Sequence, residues 1–205
     1  MTSYSSPLRQ AHAEETRRRI AEAALALFAE RGYSGTAVAD VAAAAGVAVQ
    51  TIYATYGSKR KIVLGLVDAI DDLAEIAPLV ERLAASADPG EVLRLQCAIT
   101  RRFREGEAGE VVRVLFAAAD NEPELARAAA EGMARHRRGA ELAAGRLEEL
   151  GALAAGTSAE QAAGAISLLT SHAAWRQLSE ERGWSPDECE AWIVGALERL
   201  VLSGA

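Results

Sequence analysis

Apolar residues recur along the chain at three- and four-residue steps, and β-branched alternation is absent. That pattern predicts an all-α fold without a sheet. The first periodic stretch runs from about Arg9 to Arg31, with Ile20, Ala24, Leu27 and Phe28 on one face and Gly32 closing it. Residues 1–8 carry Ser, Thr and Pro without periodicity and read as a disordered tail. Thr36 is expected to cap a short helix with Val38, Val41 and Ala42 facing inward. Gly46 breaks the chain, a second short helix covers about Val49 to Tyr56, and Gly57 ends it. Ser58 then caps a long fourth helix from Lys59.

Further along, Asp88-Pro89 opens a helix to about Glu105, and Gly106 to Gly109 reads as a loop before a short helix ending near Asn121. Pro123 suits the first turn of a long seventh helix reaching about Leu150. Gly151 to Thr157 is a linker. Ser158 with Gln161 makes a capping box for the eighth helix, which Gly183 closes, and Ser185-Pro186 opens the ninth. The domain boundaries expected are 1–8 for the tail, 9–57 for a small N-terminal domain and 58–205 for a helical body.

Charge sharpens this division. The chain carries a net −7, yet residues 1–65 hold eight Lys/Arg against five Asp/Glu, a net +3, which leaves −10 to the remainder. A positive head on an acidic body gives a polyanion one usable orientation. No run of about 18 apolar residues is present, so no membrane span is expected. Residues Met1 to Pro7 lack the apolar core of a signal peptide. Cys97 and Cys189 are isolated and read as reduced thiols, which suggests a cytoplasmic protein.

Function is most legible between Thr36 and Lys59. Two short helices flank Ala45-Gly46-Val47-Ala48, and a glycine in such a turn lets helices cross steeply, as in a helix-turn-helix. The second helix could then enter the major groove of double-stranded DNA. Gln50, Thr51, Tyr53 and Thr55 give it a polar face, with Val47 and Ile52 as buried anchors. Gln pairs bidentately with adenine, and a Thr methyl can meet the thymine methyl. Spacing alone leaves an ordinary helical hairpin open.

The stretch from Arg17 to about Val67 resembles the N-terminal domain of the TetR family of bacterial repressors. The residues carrying the resemblance are Ile20, Ala23-Ala24, Leu27-Phe28, Gly32-Tyr33, Thr36, Val41-Ala42, Ala45-Gly46-Val47, Thr51-Ile52-Tyr53, Tyr56 and Ser58-Lys59. They cover about a quarter of the chain. The resemblance implies a homodimer with a three-helix DNA-binding head and a C-terminal body that binds a small inducer. By position it assigns Thr36, Tyr53 and Lys59 to phosphates, and Val49, Gln50 and Thr51 to bases. Three residues depart from the pattern. Ala48 stands where the family usually has a Ser or Thr cap, Gln50 where glycine is common, and Tyr56 replaces Phe and brings a phenol that could reach a phosphate.

The body is less informative. The eighth and ninth helices carry apolar stripes, Ala162, Ile166, Leu169 and Ala173 on one and Trp192, Ala196 and Leu200 beside Ile193 and Leu197 on the other. Gly164 and Gly195 permit close approach, so these helices are expected to pair with their symmetry mates in a four-helix bundle. Cys97, Phe103, Phe116, Met133, His136, His172 and Trp175 are the pocket candidates, each with a place in the core as the plainer alternative. Glu148-Glu149 and Glu180-Glu181 diverge as helical neighbours, and no phosphate loop, metal-ligand cluster or nucleophile motif occurs. No enzymatic activity, cofactor or metal is therefore expected. The expected role is a ligand-responsive repressor; a TetR-like activator, or a regulator controlled by a protein partner, is the alternative.

Overall fold

The computed structural model describes residues 7–204; the rest of the predicted N-terminal tail lies outside them. The chain divides into two compact units, one of residues 1–70 and 109–129 and one of residues 71–108 and 130–205. The fold is all-α. Among the described residues the only β feature is an isolated antiparallel bridge between Leu153 and Leu202.

The first unit opens with α1 (Pro7–Arg31), α2 (Val38–Ala45), α3 (Val49–Tyr56) and α4 (Lys59–Asp68). Helix α1 begins at Pro7, two residues before the expected Arg9. It packs on α2 and α4, and α3 packs on both of those helices. Ile20, Phe28, Val41, Ile52, Ile62 and Val63 are fully buried, each worth about 1.5–3 kcal/mol of transfer free energy. Residues 109–129 add Val111, Leu115, Ala118 and Leu125 to the buried set.

The second unit comprises α5 (Ile70–Leu73), α6 (Ala77–Ala85), α7 (Pro89–Arg102), most of α9 (Pro123–Glu149), α10 (Ala159–Leu169), α11 (His172–Arg176) and α12 (Pro186–Val201). Helix α8 (Gly106–Ala119) lies mostly in the first unit. Helix α7 packs on α6 and α12, and α10 packs on α12. Leu93, Cys97, Leu147, Ile166, Trp175, Ile193 and Leu197 belong to one apolar core. The capping box read from sequence is formed: Ser158 Oγ accepts from the Gln161 amide at 3.2 Å, and Gln161 Oε1 from the Ser158 amide at 2.9 Å.

Four elements differ from expectation. The long helix after Ser58 is three pieces: Glu75 takes a left-handed φ of 50°, and Pro78, which has no amide to donate, opens α6. The expected Gly106–Gly109 loop is the first turn of α8, entered through Gly106 at φ 57°. The eighth expected helix breaks at Thr170-Ser171, where Ser171 caps α11, and a π-helical turn, Gln177–Glu181, follows. Ala37, not Thr36, is the N-cap of α2; the Asp40 carboxylate accepts from its amide at 3.0 Å.

Candidate functional site

Helices α2 and α3 meet at 102°, within the range of a helix-turn-helix. Gly46, at φ 63°, makes the turn. The Val47 amide donates back to the Ala42 carbonyl at 3.0 Å, and Arg19 Nη2 of α1 donates to the Ala45 carbonyl. Arg19 had no assigned role in the sequence, because its partner is 26 residues away.

One face of α3 is locked inward. Ile52 is 0% and Tyr56 7% exposed. The Tyr56 hydroxyl donates to the Arg17 carbonyl at 3.1 Å, and the Arg17 guanidinium lies 4.5 Å over its ring. Burial pushes this phenol above its ordinary pKa. The other face looks outward: Gln50 and Ala54 are exposed, and Tyr53 is 51% exposed. Gln50 and Tyr53, three residues apart, are neighbours on that face. Val49 and Thr51 are half-buried, and the Thr55 hydroxyl donates to the Thr51 carbonyl at 2.7 Å. Ala48 is exposed and offers α3 no side-chain cap.

Two residues expected at phosphates face inward instead. Thr36 is 1% exposed, and its hydroxyl donates to the Gly32 carbonyl at 2.9 Å and the Leu27 carbonyl at 3.2 Å. Tyr56 is turned to Arg17 as described. Lys59 has a divided position. Its Nζ donates to the Tyr33 carbonyl at 2.8 Å and the Thr36 carbonyl at 3.0 Å, and sits 4.1 Å over the Tyr33 ring. Desolvation lowers the pKa of this ammonium, partly opposed by Glu122. Tyr33 in turn donates to Glu122 at 3.1 Å; burial first, then this carboxylate, push its phenol up to about 12. Arg60 pairs with Glu124 at 3.0 Å. Residues 109–129 are thereby tied to the start of α4.

Of the pocket candidates, all but Phe116 belong to the second unit. Cys97 and Trp175 lie in the core of the second unit, and burial pushes the Cys97 thiol up to about 12, an inert state. Met133 is 45% exposed, which argues against an inward role. Phe103 is half-buried at the end of α7, and Phe116 belongs to the other unit. His136 Nε2 meets the Ser167 carbonyl at 3.0 Å. His172 is half-buried against Arg104. Arg104 carried no distinguishing sequence signal. It is one of three arginines in the run Arg101-Arg102-Phe103-Arg104.

The dimer stripes also need correction. Ile166 and Leu197, placed at the interface from sequence, are 0% exposed and fill the core of their own chain. The apolar residues left outward on α10 and α12 are Leu168 at 69%, Trp192 at 45% and Leu200 at 57% exposure. The paired acids lie at the surface: Glu149 meets Arg146 at 2.9 Å and Glu181 meets Arg176 at 3.5 Å.

Comparison with known proteins accords with this geometry. The family described as bacterial regulatory proteins, tetR family, matches residues 20–66. An uncharacterized HTH-type transcriptional regulator, YezE, of Bacillus subtilis (strain 168) is 32% identical over 109 residues, covering 51% of this chain and 55% of that protein. The chain spans about half the length of the curated relatives it matches. Among solved structures, SmeT in complex with triclosan superposes with a TM-score of 0.74 at 18% identity, covering 93% of each chain. NalD, the secondary repressor of the MexAB-OprM multidrug efflux pump in Pseudomonas aeruginosa, gives 0.70 at 23% identity, covering 95% of this chain and 100% of that one.

Proposed function

We propose that this chain, whose residues 20–66 match the tetR family of bacterial regulatory proteins, is a TetR-type, cytoplasmic, ligand-responsive repressor that binds a palindromic operator as a homodimer, without enzymatic activity. The observation that carries this reading is the outward face of α3, where Gln50 and Tyr53 stand exposed while Ile52 and Tyr56 anchor the opposite face. Gln50, with Val49 and Thr51, reads base edges in the major groove. Tyr53 and the remaining N–H of Lys59 hold phosphates. Dimerisation through α10 and α12 buries Leu168, Trp192 and Leu200 and sets two heads on half-sites about 34–36 Å apart. SmeT bound to triclosan supports a small-molecule inducer.

The test is selection of bound sequences from a random DNA pool, followed by titration of the winning duplex. A palindromic motif bound by a dimer is expected, and Gln50→Ala should relax preference at one base pair per half-site, costing about 1–3 kcal/mol. Recovery of no motif, or the same motif with both proteins, would overturn the assignment of α3 as the reading helix.

A further inference from the structure

Arg104 lies in the turn between α7 and α8. Its Nε is buried and reaches no acceptor. Burial alone brings the guanidinium down to about 10, with no carboxylate acting on it. Other arginines of this unit are paired: Arg94 with Asp88, Arg101 with Glu105, Asp187 and Glu190, and Arg146 with Glu149. A buried cation without a counter-ion is an expensive arrangement for a fold to keep.

The titratable side chains on which Arg104 acts are two histidines. Nη1 meets His172 Nδ1. A guanidinium only donates, so that Nδ1 accepts, and the imidazole is neutral with its proton on Nε2. Burial, then Arg104 and Arg176, hold His172 down to about 4. His136 is lowered by burial, with Arg104 and Arg137 adding to it, while its contact with the Ser167 carbonyl works the other way. Trp175, one turn after His172, has its indole N–H buried without an acceptor, although the ring is part of the core with Leu93, Cys97 and Ile166. Two donors thus lack acceptors beside an apolar core.

We propose that Arg104 and Trp175 bind the carboxylate of an organic monoanion with an apolar body. With Nη1 taken by His172, the edge formed by Nε and Nη2 is left, and that edge pairs side-on with both oxygens of a carboxylate. The Trp175 indole N–H, buried and without an acceptor, is the second donor. This inference rests on the reading of the chain as a ligand-responsive regulator and names the ligand class.

The experiment is calorimetry and thermal melting of the full chain with decanoate and phenylacetate, each beside its methyl ester. At least one acid is expected to bind, about tenfold or more tighter than its ester. Arg104→Met should abolish that difference and, without ligand, melt at or above the wild-type temperature, because an unpaired buried charge is gone. Trp175→Phe should weaken the acid and keep its advantage over the ester. Failure of both acids to bind at millimolar concentration overturns the proposal. So does equal binding of acid and ester, retained discrimination in Arg104→Met, or a lower melting temperature for that variant. Operator binding by the ligand-free protein is measured in parallel. Its absence fails the regulator reading and leaves acid binding as an independent result. A neutral compound that releases DNA equally from wild type and Arg104→Met overturns the ligand class alone.

Discussion

Replacing Lys59 by Met keeps the aliphatic stem and removes the ammonium, and the structure sets two separate costs. Two of its three N–H groups donate to the Tyr33 and Thr36 carbonyls, each worth about 1 kcal/mol net. The position over the Tyr33 ring adds about 0.5–1 kcal/mol. Desolvation, which lowers the ammonium pKa, offsets part of these gains, so a stability loss of about 2 kcal/mol is expected. The third N–H is the one available to a phosphate, and losing it should reduce the slope of log affinity against log salt by about 0.9 per protomer. Urea unfolding measures the first cost. Fluorescence anisotropy over a salt series measures the second, with circular dichroism establishing that the variant is folded. Lys59→Arg should keep the salt slope while losing part of the stability, since a planar fork cannot match both carbonyls. A folded Lys59→Met protein with the wild-type slope would refute the free-donor argument. Wild-type urea stability would refute the staple.

Leu200→Glu and Trp192→Glu change side chains outward on α12; sedimentation should show monomers that melt like wild type, whereas Leu197→Glu, buried in the core, should unfold the chain. Gly46→Ala forces a left-handed residue at φ 63° and brings a Cβ to 2.8 Å from Arg19 Nη2, a loss of about 1–2 kcal/mol readable by urea unfolding. Tyr56→Phe removes one hydrogen bond to Arg17, about 1 kcal/mol of stability, and should leave operator affinity of the folded protein unchanged. Burial, with Arg104 and Arg176 beside it, holds the folded His172 down to about 4, against an ordinary imidazole value of 6.5. The unfolded chain therefore binds more protons between those values, and stability should fall as pH drops from 6.5 to 4 and level off below. His172→Asn should show a shallower fall in melting temperature over that window, and parallel curves would count against the shift.

What the sequence made legible was local. Gly46 and the apolar steps at Val41, Ala42 and Ile52 define the head because a turn and a helical period need only near neighbours. The caps at Ser58 and Ser158 are local motifs and read equally well. Pro78 sits within an apolar run whose period continues through it, so the period alone hides the break that its missing amide makes. Other features depended on partners far along the chain. Thr36 and Lys59 carry groups suited to phosphate, but carbonyls of the α1–α2 segment claim the hydroxyl and two of the ammonium's donors. On α12 both stripes are apolar, and periodicity does not say which faces the core. Packing chose Ile193 and Leu197 and left Trp192 and Leu200 outside.

The least legible feature bears most on regulation. Glu122 and Glu124 look like ordinary surface acids after a turn, yet they meet Tyr33 and Arg60, 89 and 64 residues away. Residues 109–129 are thereby part of the DNA-binding unit in spite of their position in the chain. Helix α8, 14 residues long and about 21 Å end to end, starts two residues after Arg104 and ends just before that turn. On the proposed reading, a ligand held by the second unit acts on the head through an element continuous with both units. By chain continuity α8 is such an element: Arg104, which has no counter-ion, precedes it, and Glu122 and Glu124, bound to Tyr33 and Arg60, follow it. Neither connection is visible until the fold shows that Arg104 is buried and the acids are paired.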